Sequence, residues 1–303
     1  MLAKGQRRGF PTGPAVDSNI IWQWAFVLDC LICHRAAQKK KTLIMTTTRR
    51  AIFLLCLTAS ILLLTSCSSL RVRNLRLWMP PSFSGMERKN AELILEAPSS
   101  VMDLKNAEKL NDDSKKLLSA AWDDIQSKPE IWICRTEQCY QRLGGGSPIA
   151  KSLGSRIIIS PRGQSAGILA HERWHSEFVH RVGLITAYKV PRWFDEGVAV
   201  WISQEPRHSE EMYQRILNQK IVPPKLETLI GFKDWDIAIG LYGDHLKTTD
   251  VDSLNVVYPT AGHEVRRWIA IVGVNGLRQL IDKLADGAEF SPTYLELERA
   301  AKK

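Results

Sequence analysis

The chain has 303 residues, 45% hydrophobic and 24% charged, which excludes a disordered or low-complexity polymer and fits one globular domain with appendages. Its formal net charge is +9, but nine basic residues stand against two acidic ones within residues 1–66, so the remainder is nearly neutral and nucleic acid is excluded as a partner. Of the six cysteines, only Cys134 and Cys139 lie beyond Cys67.

Residues 1–44 hold a short apolar run, Ile20 to Cys33, broken by Gln23 and Asp29 and followed by Lys39-Lys40-Lys41. Cys30-Leu31-Ile32-Cys33-His34 has the form of a haem attachment string, but it stands in a stretch with no fold around it, and no haem is expected. Met45-Thr46-Thr47-Thr48-Arg49-Arg50, then apolar Ala51 to Leu64, has the shape of a secretory signal peptide, with an apolar core too short to span a bilayer comfortably. Met45 is therefore read as the initiator, residues 1–44 as an extension that is not native or not translated, and residues 45–66 as the signal peptide. Leu64-Thr65-Ser66-Cys67 resembles the lipobox of bacterial lipoproteins. The resemblance implies lipidation of Cys67, a membrane anchor and a periplasm-facing place in the cell envelope, with Ser68 pointing to the outer membrane. A core helix that happens to end in Cys is the competing reading.

Residues 67–85 are expected to be a lipidated Cys and tether, with Leu75 to Met79 as a first strand the alternative. The domain proper is expected over 86–303. Asn90 to Glu96 reads as a strand or short helix and Ser99 to Asn111 as a helix. Asp112-Asp113-Ser114 reads as the cap of a second helix carrying Leu117, Leu118, Ala121, Trp122 and Ile125 and ending at Pro129. Glu130 to Cys134 is a strand and Gln138 to Leu143 a short helix; Gly144-Gly145-Gly146 is a plain loop, and the β-branched Ile157 to Ile159 is another strand. An oxidising compartment would favour a Cys134–Cys139 disulfide; two core thiols are the alternative.

His171-Glu172-Arg173-Trp174-His175 carries the chemistry. On a helix, residues i and i+4 share a face, so two imidazoles can hold one metal ion, Zn²⁺ being the cation suited to neutral nitrogen ligands. Ile168, Leu169, Phe178, Val179 and Val182 recur at helical spacing around it and Gly183 ends the pattern. A third ligand is supplied by Pro191-Arg192-Trp193-Phe194-Asp195-Glu196-Gly197, where Pro191 opens a helix and Glu196 falls in its second turn. His171, His175 and Glu196 are thus the metal ligands and Glu172 the general base. His180 lies about 140° round the helix from His175 and is not expected to close the site.

His-Glu-x-x-His with a downstream Pro-x-Trp-x-x-Glu-Gly-x-Ala resembles the gluzincin metallopeptidases, more narrowly the bacterial peptidase MA-like domains. The resemblance runs from about Lys115 to Leu297 and is specific only at Ala170 to His175 and Pro191 to Ala199. It implies a zinc-dependent peptidase acting on a peptide or protein substrate, with the ligand Glu on the helix after the active-site helix. Arg173 and Trp174 are larger than the residues usual between the two histidines.

Beyond the ligand helix, Ser209 to Asn218 reads as a helix and Val222 to Trp235 as loop. Val265, Trp268, Ile269 and Val272 mark a helix stopped by Gly273; Gly276 to Leu284 forms another, and Ser291-Pro292 caps a last one. Tyr258 is the candidate donor to a developing oxyanion, with a core tyrosine as the alternative and His263 as a further candidate. The expected fold is α+β: a small mixed sheet on the His-Glu-x-x-His helix, one strand bordering the cleft, then a mostly helical C-terminal half. The function expected is peptide-bond hydrolysis in the envelope, against a catalytically inactive zinc-binding lipoprotein that serves as a partner-binding module.

Overall fold

The computed structural model describes residue 77, residues 79–245 and residues 254–303. The haem-like string, the signal peptide and Cys67 lie outside the described residues. Residues 67–303 form one compact unit. Among the described residues, the buried clusters run from Leu77 to Leu297. Leu77 is already buried beside Met86, which puts packed chain within the stretch expected to be tether.

Five strands form a mixed sheet: β1 (Met86–Arg88), β2 (Leu93–Glu96), β3 (Glu130–Ile133), β4 (Ala150–Ser152) and β5 (Arg156–Ile159), in the order β1-β2-β3-β5-β4. The central β2, β3 and β5 are parallel, while β1 and β4 are antiparallel edges. Parallel strands are covered on both faces, which is why β2, β3 and β5 read as unbroken apolar runs. Alternation sends Leu93, Leu95, Ile131, Ile133, Ile157 and Ile159 to one face, against Ile168 and Leu169. Ile94, Trp132 and Ile158 go to the other, with Tyr140 and Leu143.

Helix α1 (Val101–Leu118) corrects the expected pair of helices. Its start is set by a reciprocal capping box between Ser100 and Asp103, a stronger nucleus than the later Asp112-Asp113-Ser114. Those three residues lie inside it, where Asp113 pairs with Lys109 and Lys116. Ser114 is buried and accepts from Arg173 Nε at 3.0 Å. Trp122 and Ile125 lie beyond the helix, in chain pinned by Gln126 N and Ser127 N donating to the buried Glu177 carboxylate. Helix α2 (Glu137–Arg142) follows β3 and is capped by Thr136, and Cys134 and Cys139 are joined in a disulfide.

The site-bearing helices come next: α3 (Ala166–Val182), the short α4 (Leu184–Lys189) and α5 (Arg192–Ser203). Ser165 caps α3 and Gly183, at φ 78°, ends it. The C-terminal half contains α6 (Glu210–Asn218), α7 (Phe232–His245), α8 (Leu254–Ala285) and α9 (Phe290–Ala301). Three expectations change here. Helix α7 begins within the stretch read as loop, α8 takes in Tyr258-Pro259, and Glu289 rather than Ser291 stands at the N-cap of α9. Gly273, at φ 70°, breaks the helical path of α8 where a helix was expected to stop and another to follow. No helix among the described residues is long and apolar enough to cross a membrane.

Helices α5 and α8 cross without room for a side chain. A Cβ on Gly197 would stand 2.6 Å from the Ala261 carbonyl oxygen and from Val265, and one on Gly262 would stand 2.5 Å from Val200. Because one of those obstacles is backbone, the helix itself would have to move. Gly197→Ala is expected to lower the unfolding free energy by about 1–3 kcal/mol, read as an earlier urea midpoint with an unchanged slope.

Candidate metal centre

The site forms where α3 and α5 pack against each other. On α3, His171 and His175 lie one turn apart with ring centroids 5.0 Å from each other. Glu196, on the buried α5, brings its Oε2 to 3.0 Å from His171 Nε2 and 3.7 Å from His175 Nε2. One atom from each of the three residues lies within 4.8 Å of the others. All three expected ligands therefore meet.

A carboxylate that the sequence reading did not single out orients this set. Asp195 Oδ1 is 2.9 Å from His175 Nδ1 and accepts from the Trp174 indole at 3.0 Å. A proton held on Nδ1 leaves Nε2 as the bare nitrogen, on the side where Glu196 stands. Arg192, in the first turn of α5, donates to Asp195 Oδ2 at 2.6 Å and pairs with Glu196 Oε1. With Oε1 engaged, Oε2 is the oxygen turned to the histidines.

The electrostatics follow from this crowding. Burial opposes charge on Glu196 and on Asp195, yet both carboxyls are held below their usual range. Arg192 and His175 do this for Glu196, and His175 and Arg192 for Asp195. Burial likewise opposes a proton on His175, but the Asp195 and Glu196 carboxylates push it up to about 10. A cation bound at His175 would compete with a proton there. Glu172 is displaced the other way: burial pushes its carboxyl up, against the pull of the two histidines.

Arg173 and Trp174 point away from the site. Arg173 is buried and bonds Glu92 and Asn111 as well as Ser114, joining α3 to the β1–β2 turn and to α1. Trp174 stacks on Phe178 at 5.4 Å within the core.

Tyr258, in the second turn of α8, lies beside the site with its ring 6.1 Å from His171. It packs edge-on to Trp235 at 5.0 Å and stacks on His208 at 4.8 Å. Burial, then the Glu196 carboxylate, pushes its phenol above the ordinary range. His263 is elsewhere, paired with Glu210 at 2.9 Å and stacked on Tyr213. His180 is exposed.

His208 was not foreseen. It is buried, and its Nε2 finds no hydrogen-bond partner among the described residues. Burial, reinforced by nearby His171 and Arg207, pushes its imidazole down to about 3. No motif marks it: a single His after Pro206-Arg207 has no spacing to reveal that it faces Tyr258.

Comparison with protein families finds no match, and comparison with the curated proteins finds none. Among solved structures, the chain is similar to a crystal structure of a mutant M1 zinc metallopeptidase from Deinococcus radiodurans. The TM-score is 0.36 and the identity 11%, over 71% of this chain and 47% of that one. The chain thus spans about half the length of that protein.

Two outcomes are expected. Asp195→Ala should weaken zinc binding by about 10- to 100-fold, measured by chelator competition, because His175 loses the partner that fixes its ring. His208 binds its proton in the unfolded chain below about pH 6.5 but in the folded chain only near 3, so it removes stability as pH falls through 6.5. Between pH 7 and 5 the zinc-loaded protein should lose about 2 kcal/mol more than its His208→Gln variant in urea titrations.

Proposed function

We propose that this chain is a zinc-dependent peptidase of the gluzincin type, anchored in the bacterial cell envelope through lipid at Cys67. The observation that carries the reading is the convergence of His171, His175 and Glu196 within 4.8 Å, on two helices whose contact is buried. Two imidazoles and one carboxylate are a donor set suited to zinc. Arg192 and Asp195 serve that set by turning one oxygen and one nitrogen toward a common point. Zinc held there would polarise a carbonyl and lower the pKa of water.

The remaining work belongs to the chain's own side chains. Glu172 stands next to a ligand without being one, and its raised proton affinity suits a base that takes a proton from water and returns it to the leaving amine. Tyr258 keeps its phenolic proton and is a donor for the oxyanion that develops on the scissile carbonyl.

Substrate would lie along β4. Among the described residues this edge strand pairs only with β5, and it is tied to α3 by Ser152 Oγ to Ser176 Oγ at 3.0 Å. Its other edge suits pairing with an extended peptide. The envelope location rests on the sequence from Met45 to Cys67.

The test is zinc analysis and peptide cleavage on the protein from Ser68 to Lys303. Glu172→Gln should keep one zinc per chain while cleavage of an unfolded protein falls at least a thousandfold; His171→Ala should lose both. Full activity in Glu172→Gln would overturn the mechanism. Stoichiometric zinc with no cleavage across a broad peptide library would instead make this a binding module.

A further inference from the structure

Helix α4, which joins the two metal-site helices, has no buried residue. Leu184, Ile185 and Tyr188 are 58%, 74% and 65% exposed, and their i, i+1, i+4 spacing puts them on one side of the helix. The apolar surface continues across the chain fold: the Tyr188 ring lies 5.3 Å from Phe232, itself 49% exposed, with Ile230 two residues before it at 46%.

The patch is built into the metal site's frame. Arg192 N donates to Ile230 O at 2.7 Å and Trp193 N to Leu229 O at 3.0 Å, capping the first turn of α5, and the Arg192 guanidinium lies 4.4 Å over the Phe232 ring. A cluster of large apolar side chains left in water on a well-packed domain needs an occupant.

We infer that this surface rests on an anionic lipid bilayer. Three features select that occupant. First, the patch is convex: side chains half to three-quarters exposed on a helix with nothing buried form a ridge that enters a soft medium, not a groove that receives a segment. Second, exposed Lys189 and Lys233 flank it, each next in sequence to an aromatic residue of the patch, which is the charge that headgroup phosphates complement. Of the nearby acids, Asp234 is engaged by the Gly231 backbone N–H at 2.9 Å, and Asp236 is exposed one turn after Phe232. Third, Cys67 lies ten residues before the buried Leu77, a reach of about 35 Å at full extension. Lipid at Cys67, part of the proposal above, would keep this ridge close to a bilayer, so that a weak contact suffices.

The test uses residues 68–303, free of lipid, with vesicles of phosphatidylglycerol and phosphatidylethanolamine. The domain should co-sediment with them, and Ile185→Asp with Tyr188→Asp should lower the bound fraction at least tenfold. Circular dichroism and zinc content should not change. Lys189→Glu with Lys233→Glu should remove the preference for phosphatidylglycerol. Absence of binding, or equal binding by the Asp variant, overturns the inference. So does a concentration-dependent dimer in sedimentation velocity that the Asp variant abolishes, which would give the ridge to a second copy. Vesicle binding without zinc or cleavage would sink the peptidase reading and leave this one standing.

Discussion

The structure depends on the packing of α3 against α5, and that packing is itself governed by a buried arrangement of charges. Glu196 and Asp195 are adjacent carboxylates withdrawn from water, a placement that would be prohibitive without compensation. Arg192 supplies it from one helical turn away, bonding one oxygen of each, and the histidines of α3 face the other oxygens. Both helices are thereby held in the register that brings three donor atoms together. The close crossing of α5 with α8 at Gly197 and Gly262 fixes α5 from its other side.

The same economy appears behind the site. Arg173 has a buried guanidinium whose partners come from the β1–β2 turn and α1, so the helix that presents the histidines is fastened by charge there as well as by Ile168 and Leu169 against the sheet. Glu177, one turn on, holds the loop after α1 through two backbone N–H groups. Two ionisable side chains of α3, Arg173 and Glu177, thus face inward to organise the fold, while His171, His175 and Glu172 face the site. A polar residue inside a helix is costly unless satisfied, and the Nε and Nη2 of Arg173 and the carboxylate of Glu177 are answered by different elements of the domain.

How legible this was depends on the range of the signal. The two histidines, Glu172 and Glu196 were readable because their geometry is local: i to i+4 on one helix, and a second-turn Glu after a proline. The central strands were readable because burial on both faces leaves an apolar run. Asp195 was not, since sequence cannot say which of two adjacent acids faces a histidine from another helix. The helix start placed at Asp112 failed for a related reason. A Ser that resembles a cap is, through α1's contact with α3, the buried acceptor of an arginine 59 residues away. The three-residue β1 and β4 have no periodicity to detect and exist only through their neighbours.

Trp174 and His175 share a single oxygen of Asp195, one of them a core aromatic and the other a member of the site. That shared atom removes the freedom by which a site can drift while the scaffold stays constant. At position 195 the two are inherited together: a change that retunes the imidazole also leaves an indole unanswered, so any lineage altering one must repair the other in the same step.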